Sequence, residues 1–286
     1  MCDESTLTAE RAALSRRQFG LLGAAATVAA CSTSGANGES GAALTESAVT
    51  VTTPDGIADG FFVHPATGAH PAVLLWPDIA GLRDAYKTMA RRLAGAGYAV
   101  LVFNHYYRSA KAPVLASFAE WRTPEGRARL QPMITAITPA GTARDAVAAV
   151  AWLDQQSAVD AKRGIGTSGY CMGGPFTVRS AAAVPGRVKA AASFHRAALV
   201  TAEPDSPHKL LGQTQASFLF AIGRNDDAAA PTDKDTLRAA AAAAGRPAEV
   251  EVYAADHGWC TIDSPVYDKP QAERAWERML ALFAGL

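Results

Sequence analysis

Short apolar runs alternate with longer amphipathic stretches from residue 47 to the C-terminus. Most of the apolar runs lack the in-out alternation of a half-exposed strand, so they predict strands that are covered on both faces. The order of strands and helices predicts an α/β fold, with a mostly parallel sheet and helices on both faces. The predicted strands are 47–53, 57–63, 72–76, 98–103, 163–168, 188–194, 217–222 and 248–253, and the predicted helices are 86–94, 142–155, 173–183, 234–244 and 271–283.

Two segments of this domain have patterns of their own. The turn residues 54–56, Pro-Asp-Gly, separate the first two strands and predict an antiparallel hairpin. The stretch 116–137, which contains Trp121, Pro124 and Pro132, has no clear periodicity. We expect it to leave the sheet and pass over its edge, where such excursions shape the entrance to a site.

The beginning of the chain has the pattern of an export signal. Arg16 and Arg17 precede the uncharged run 19–30, which is too short to cross a bilayer but has the length of a secretory signal. Paired arginines ahead of such a run are typical of twin-arginine export. Residues 28–31, Val-Ala-Ala-Cys, resemble the lipobox of bacterial lipoproteins, which implies that Cys31 is lipidated. A plain signal peptide or an amphipathic helix is the alternative.

A Gly/Ser-rich stretch at 32–41 follows and is typical of a flexible tether. The sequence therefore predicts a signal peptide at 1–30, a tether at 31–46 and one folded domain at 47–286. We expect the domain to be exported to the cell envelope or the exterior and to meet the membrane only through a lipid on Cys31.

Composition excludes several classes of function. The chain has 27 Lys and Arg against 27 Asp and Glu, so it has no net field to attract a nucleic acid. Hydrophobic residues make up 49% of the chain and charged residues 19%, which is typical of a globular protein. The 4 cysteines are too few for a disulfide framework in a chain of this length.

The most informative motif is the hexapeptide 169–174, Gly-Tyr-Cys-Met-Gly-Gly, which lies between a predicted strand and a predicted helix. It has the form of the G-x-S-x-G nucleophile elbow, with cysteine in place of serine. The flanking glycines permit the sharp turn, and a helix N-terminus favours a thiolate at Cys171. The motif predicts a cysteine nucleophile, although a buried structural cysteine in a Gly-rich turn has the same local sequence.

Two later strands end in residues that could assist this nucleophile. Asp226 and Asp227 follow one strand, and His257 follows the next. The order nucleophile, acid, histidine is that of an α/β-hydrolase, in which active groups lie at the carboxyl ends of strands. We expect His257 to act as general base and Asp226 to orient it, with Asp227 as the rival for the second role.

These segments resemble the dienelactone hydrolase family of α/β-hydrolases, from about residue 51 to the C-terminus. Cysteine in the elbow is the most specific feature, since most relatives of this fold have serine there. The supporting segments are 76–82, 97–104, 193–195, 206–208, 223–227, 256–258 and 267–278.

The resemblance implies roles for particular residues. It implies Cys171 as nucleophile, His257 as base and Asp226 as orienting acid. It also implies that the backbone N–H groups of Ile79 and Met172 form the oxyanion hole. The expected activity is hydrolysis of a small carboxylic ester or lactone, with no cofactor, metal or nucleic acid.

Two further residues match the family's substrate site. Asp78 occupies the place of an acid beside the resting thiol, and Arg108 matches an arginine that holds the substrate's carboxylate. A solvated surface charge is the alternative for Arg108. The family's second such arginine has no counterpart in 258–262, so the resemblance does not extend to dienelactone itself as substrate.

Several residues near the predicted site have less specific signals. Cys260 could approach Cys171 as a disulfide partner or could be a buried thiol, and the spacing of His257 and Cys260 lacks the second ligand pair of a zinc site. His195 and His208 are interpreted as structural or rim residues. A non-catalytic lipoprotein that binds a ligand on the same scaffold is the alternative to an enzyme, because fold does not determine function.

Overall fold

The computed structural model describes residues 43–195 and 197–286. The predicted signal peptide, the lipidation site Cys31 and the tether as far as residue 42 lie outside the described residues. The first strand begins at Leu44, so the last three residues of the predicted tether belong to the folded domain. Within the described part of the chain, no helix has the length and apolar character needed to cross a membrane.

One sheet contains all the strands of the described residues, and each corresponds to a strand predicted from the sequence. The strands are β1 (Leu44–Thr53), β2 (Gly56–Pro65), β3 (Ala72–Trp76), β4 (Ala99–Phe103), β5 (Ile165–Tyr170), β6 (Val188–Phe194), β7 (Ser217–Gly223) and β8 (Ala248–Tyr253). Their order is β1-β2-β4-β3-β5-β6-β7-β8. The hairpin β1–β2 and the pair β2–β4 are antiparallel, and every other pair is parallel. The predicted α/β fold with a mostly parallel sheet is confirmed.

Among the described residues, the five predicted helices are present, and four more lie in segments that the periodicity did not resolve. The helices are α1 (Asp84–Gly95), α2 (Phe118–Trp121), α3 (Pro124–Thr135), α4 (Pro139–Leu153), α5 (Gly174–Ala183), α6 (Pro207–Leu210), α7 (Arg224–Ala229), α8 (Asp233–Ala244) and α9 (Lys269–Phe283). Helix α4 begins three residues before its predicted start, because Thr138 accepts a hydrogen bond from the Gly141 N–H and Pro139 stands at the first helical position.

The central strands are buried on both faces, as their unbroken apolar sequences predict. In β3, Leu74 and Trp76 pack in a core shared with α4, α5 and α8. The alternate residues Val73 and Leu75 pack in a second core shared with α1 and α9. Since successive side chains of a strand point to opposite faces, one apolar run supplies both layers.

The stretch 116–137 forms α2 and α3 and has a small core of its own. Leu130 of α3 is fully buried with Tyr106 and Val114 from the segment that follows β4. Ile134, one turn further along α3, lines the cavity at the nucleophile elbow. The excursion therefore supplies one wall of the candidate site.

Candidate active site

Cys171 lies where β5 turns sharply into α5. The residues Cys171–Gly173 form a single 3-10 turn, and Cys171 has a φ of 50°. A non-glycine residue in this left-handed region costs about 1 kcal/mol or more, so the neighbouring backbone must hold it there. The strained turn presents the thiol at the carboxyl edge of the sheet, as the elbow motif predicts.

The glycines of the motif are required by close backbone approach. A Cβ atom added at Gly173 would lie 2.5 Å from the carbonyl oxygen of Trp76 and 2.6 Å from that of Pro77. A Cβ at Gly169 would collide with the backbone of Gly173. Any larger residue would therefore separate the elbow from the end of β3.

His257 and Asp226 meet at the same edge of the sheet. The Nδ1 atom of His257 lies 2.9 Å and 3.0 Å from the two carboxylate oxygens of Asp226, which is in the first turn of α7. The rival acid Asp227 instead pairs with Lys234 at 2.7 Å. The side chain of Asn225 accepts a hydrogen bond from the His257 N–H at 2.8 Å, so α7 holds both the backbone and the ring of the histidine.

The electrostatic surroundings of His257 favour its protonated form. Burial acts to lower the pKa of His257, but hydrogen bonds and charge from Asp226 and Cys171 outweigh it and raise the pKa to about 10. The side chain of Asp226 is only 13% exposed, so water screens its interaction with the imidazole weakly. The ring is therefore poised to hold a positive charge beside the thiol.

An apolar cavity opens beside the thiol. It has a volume of about 790 Å³, counting the part open to solvent, and Cys171 lines it. Ile79 and Met172, the residues implied for the oxyanion hole, line the same cavity. The structure thus brings Cys171, Ile79 and Met172 to one space, into which a small molecule of mostly apolar character would fit.

Asp78 has a different environment from the one implied by the resemblance. Its carboxylate binds the guanidinium of Arg83 through two hydrogen bonds, of 2.8 Å and 3.0 Å, and both side chains are 1% exposed. Asp263 binds the other edge of Arg83 at 2.7 Å and 2.8 Å and accepts the N–H of Phe118. Asp78 is committed to its buried ion pair with Arg83, and the bonds from Arg83 to Asp263 join the loop after β3 to the loop that follows His257. Sequence reasoning missed Arg83, whose only signal is a charge within a mostly apolar segment.

Arg108 is likewise paired within the protein and does not line the cavity. Its guanidinium makes two 2.8 Å hydrogen bonds to Asp145 of α4 and also pairs with Asp55 of the β1–β2 turn. Tyr107 donates a further hydrogen bond to Asp145. The expectation that Arg108 meets the substrate is not supported, because these two carboxylates occupy it. It is not the solvated surface charge considered as the alternative either, since its side chain is 18% exposed.

His195 is a buried neighbour of His257 that the sequence assigned only to structure or to the rim. Its ring centroid lies 5.3 Å from that of His257 and 4.6 Å from that of Trp259. Its Nε2 accepts the Cys260 N–H at 3.1 Å, so the neutral ring carries its proton on Nδ1. Burial and the charge of His257 hold the pKa of His195 well below its usual range. The sequence feature that could have identified His195 as a neighbour of the site is its position directly after β6, at the same sheet edge as the elbow.

Cys260 and Cys171 are both free thiols. Cys260 lines a separate apolar cavity between α1 and α9, and burial raises its pKa well above its usual range. Among the described residues there is no group of three or more His, Cys, Asp or Glu side chains that could hold a metal ion.

The comparison with known families agrees with this geometry. The model of the dienelactone hydrolase family matches residues 58–286. This chain belongs to the dienelactone hydrolase family. The matched segment runs from the second strand to the C-terminus and contains all the groups described above at the elbow.

Individual relatives of this dienelactone hydrolase family member are distant in sequence and close in fold. A provisionally named carboxymethylenebutenolidase of Methylorubrum extorquens is 26% identical over 230 residues, or 79% of this chain and 76% of the relative. A provisionally named 2-oxo-3-(5-oxofuran-2-ylidene)propanoate lactonase of Bradyrhizobium is 29% identical over 162 residues, or 56% of this chain and 61% of the relative. The crystal structure of a provisionally named dienelactone hydrolase of Klebsiella pneumoniae has a TM-score of 0.74 at 25% identity, covering 85% of this chain and 100% of that one.

Replacing Arg83 tests the buried ion pair. The variant Arg83→Met leaves the carboxylate of Asp78 buried without its partner, so we expect it to lower the free energy of unfolding by about 3–5 kcal/mol. The matched control Lys87→Met breaks an exposed pair with Asp84 and should cost less than about 1 kcal/mol. Urea denaturation measures both values, and equal losses in the two variants would contradict a structural role for Arg83.

Titration of His257 tests its interaction with Asp226. Because folding raises the pKa of His257 from 6.5 to about 10, the stabilisation is complete below pH 6.5 and is lost as the pH rises towards 10. We expect Asp226→Asn to lower the pKa of His257 in NMR titrations. The difference in the free energy of unfolding between this variant and the parent protein should shrink as the pH rises from 6.5 to about 10. The control Asp227→Asn should shift the pKa much less. An equal shift in both variants would show that Asp226 has no special role.

Proposed function

We propose that this chain hydrolyses carboxylic esters or lactones through a covalent intermediate on Cys171. The observation that carries the proposal is the placement of Cys171 on a strained elbow, where it lines an apolar cavity and interacts with the imidazole of His257, which Asp226 holds. A thiolate at a helix N-terminus beside a protonated imidazole is an activated nucleophile. The Bradyrhizobium relative is named as a lactonase, which supports the same class of reaction.

In the first half of the proposed reaction, the sulfur of Cys171 attacks the carbonyl carbon of the substrate. The carbonyl oxygen gains negative charge, and the backbone N–H groups of Ile79 and Met172 stabilise it. The carbon–oxygen single bond of the ester then breaks. His257 gives its proton to the leaving oxygen, so an alcohol departs and the acyl group remains on sulfur as a thioester.

In the second half, water attacks the thioester. His257, now neutral, accepts a proton from that water, and the same N–H groups stabilise the second oxyanion. The carbon–sulfur bond breaks, and the carboxylic acid leaves with the thiolate and imidazolium restored. For a lactone, the alcohol and the acid are parts of one product, a hydroxy acid. Asp226 keeps the ring of His257 oriented and stabilises its charged form through both halves.

The proposal extends to where the enzyme works. Arg16, Arg17 and the uncharged run 19–30 support export by the twin-arginine route, and the sequence 28–31 supports lipidation at Cys31. Twin-arginine export carries folded proteins, so a reduced thiol at Cys171 could be assembled before export. The hydrolase would then act outside the cytoplasm, tethered to the membrane.

Replacing the nucleophile is the direct test of the activity. With p-nitrophenyl butyrate as substrate, we expect Cys171→Ala and His257→Ala each to lower kcat/KM by about a thousandfold or more, since both remove a group that forms the intermediate. The control Cys260→Ala removes the other free thiol of the described residues and should retain activity. Unchanged hydrolysis in Cys171→Ala would refute the proposal.

Localisation can be tested in cells that express the full chain. We expect the protein to fractionate with membranes and Cys31→Ser to appear in the soluble exported fraction, because one lipidated residue provides the anchor. Replacing Arg16 and Arg17 by Lys should retain the protein in the cytoplasm. A Cys31→Ser protein that still fractionates with membranes would contradict the lipid anchor.

A further inference from the structure

A second cavity lies in the layer of the structure that α1 and α9 form, and we call it the α1–α9 cavity. It has a volume of about 610 Å³, counting the part open to solvent. Leu93 of α1 and Met279 of α9 line it, together with Tyr170 at the end of β5 and Cys260 in the loop before α9. No described residue lines both this cavity and the one beside Cys171, so the two are separate spaces.

The wall of the α1–α9 cavity is mainly apolar and contains several aromatic rings. Tyr170, Phe194 and Trp276 contribute three of these rings. Arg92 is the one charged residue among the described residues that line the cavity. Its guanidinium binds both carboxylate oxygens of Glu273 and lies 4.1 Å from the centre of the Trp276 ring. Because Glu273 already compensates this charge, the wall favours an uncharged ligand with an aromatic ring.

Tyr170 brings an unpartnered hydroxyl group to this wall. The residue is 5% exposed, and its ring centre lies 5.6 Å from that of Tyr86 and 4.9 Å from that of Phe194. No described residue forms a hydrogen bond with the hydroxyl. The charges that act on the hydroxyl are those of Cys260 and Arg92, which line the same cavity, so this end of the ring faces the cavity.

The hydroxyl of Tyr170 is available as a hydrogen-bond donor. Burial raises the pKa of Tyr170, so the group keeps its proton at neutral pH. A buried donor without an acceptor is unfavourable, because it has lost its hydrogen bond to bulk water. A molecule that places an acceptor oxygen at this point of the cavity would remove that cost.

The same wall offers no nucleophile that would bind such a molecule covalently. Cys260 is the one thiol among the described residues that line the cavity, and it is buried. Burial raises the pKa of Cys260 well above its usual range, so the sulfur keeps its proton and is unreactive. A ligand of this cavity is therefore held by packing and hydrogen bonding alone.

We propose that the α1–α9 cavity binds a small, uncharged aromatic molecule whose carbonyl oxygen accepts a hydrogen bond from the hydroxyl of Tyr170. The rings of Phe194 and Trp276 pack against the ring of this ligand. The site is distinct from the cavity of the proposed hydrolysis, and the inference does not depend on that activity.

Acetophenone is the probe for this site, since it has one ring, one carbonyl group and no ester bond. The full chain, labelled with ¹³C in its methionine methyl groups, reports where the probe binds. Met89 and Met279 line the α1–α9 cavity, Met172 lines the cavity beside Cys171, and Met133 lines neither. We expect acetophenone to shift the NMR signals of Met89 and Met279 saturably and to leave those of Met172 and Met133 unchanged.

A second probe isolates the hydrogen bond to Tyr170. α-Methylstyrene has the shape of acetophenone, with a methylene group in place of the carbonyl oxygen. We expect Tyr170→Phe to raise the Kd of acetophenone by about threefold to tenfold and to leave the Kd of α-methylstyrene within about twofold. The matched control Tyr98→Phe removes the hydroxyl of a buried tyrosine that does not line the cavity, and it should change neither Kd.

A cavity-filling variant keeps the test decisive if the Tyr170→Phe protein does not fold. Ala272→Leu places a larger side chain in the α1–α9 cavity and should abolish the binding of both probes. The inference is overturned if acetophenone shifts only the signal of Met172 or shifts none saturably. Equal changes in the Kd of both probes in folded Tyr170→Phe, or retained binding in folded Ala272→Leu, would also overturn it. None of these outcomes depends on whether the chain hydrolyses p-nitrophenyl butyrate, so the two proposals fail separately.

Discussion

Close backbone packing where β5 turns into α5 determines where the other groups of the site lie. The elbow is pressed against the end of β3, because Gly173 leaves no room for a side chain beside the carbonyls of Trp76 and Pro77. This contact brings the loop that carries Ile79 beside the thiol and holds Cys171 in a left-handed conformation. The strain is concentrated at the residue with the proposed chemistry, as is common at functional sites.

Charged side chains then connect the loops around this turn. Arg83 binds Asp78 on the loop after β3 and Asp263 on the loop after His257, and Asp263 also binds the backbone at the start of α2. A single guanidinium therefore connects the loop after β3, the loop after His257 and the start of α2. A buried ion pair adds little net stability, but it disfavours alternative arrangements that would leave its charges unpaired.

The ion pairs of the arginines near the site decide which of these cations a ligand could reach. The chain has equal numbers of basic and acidic residues, so selectivity cannot come from net charge. Arg108 is bound by Asp145 and Asp55, and Arg83 is bound by Asp78 and Asp263, so carboxylates of the protein occupy both guanidinium groups. The geometry of local pairing, and not the number of charges, decides which cation can meet a ligand.

The sequence by itself determined the parts that depend on local patterns. Apolar runs specified the eight strands, and the glycines around Cys171 specified the elbow, because strand burial and sharp turns leave clear signals over a few residues. The order of Cys171, Asp226 and His257 along the chain reduced the number of candidate catalytic residues. Only the tertiary structure decided that Asp226 and not Asp227 meets the histidine, and that Arg108 is occupied by carboxylates of the protein. These outcomes depend on pairings between residues far apart in the chain, and neither periodicity nor composition encodes which charge will find a partner.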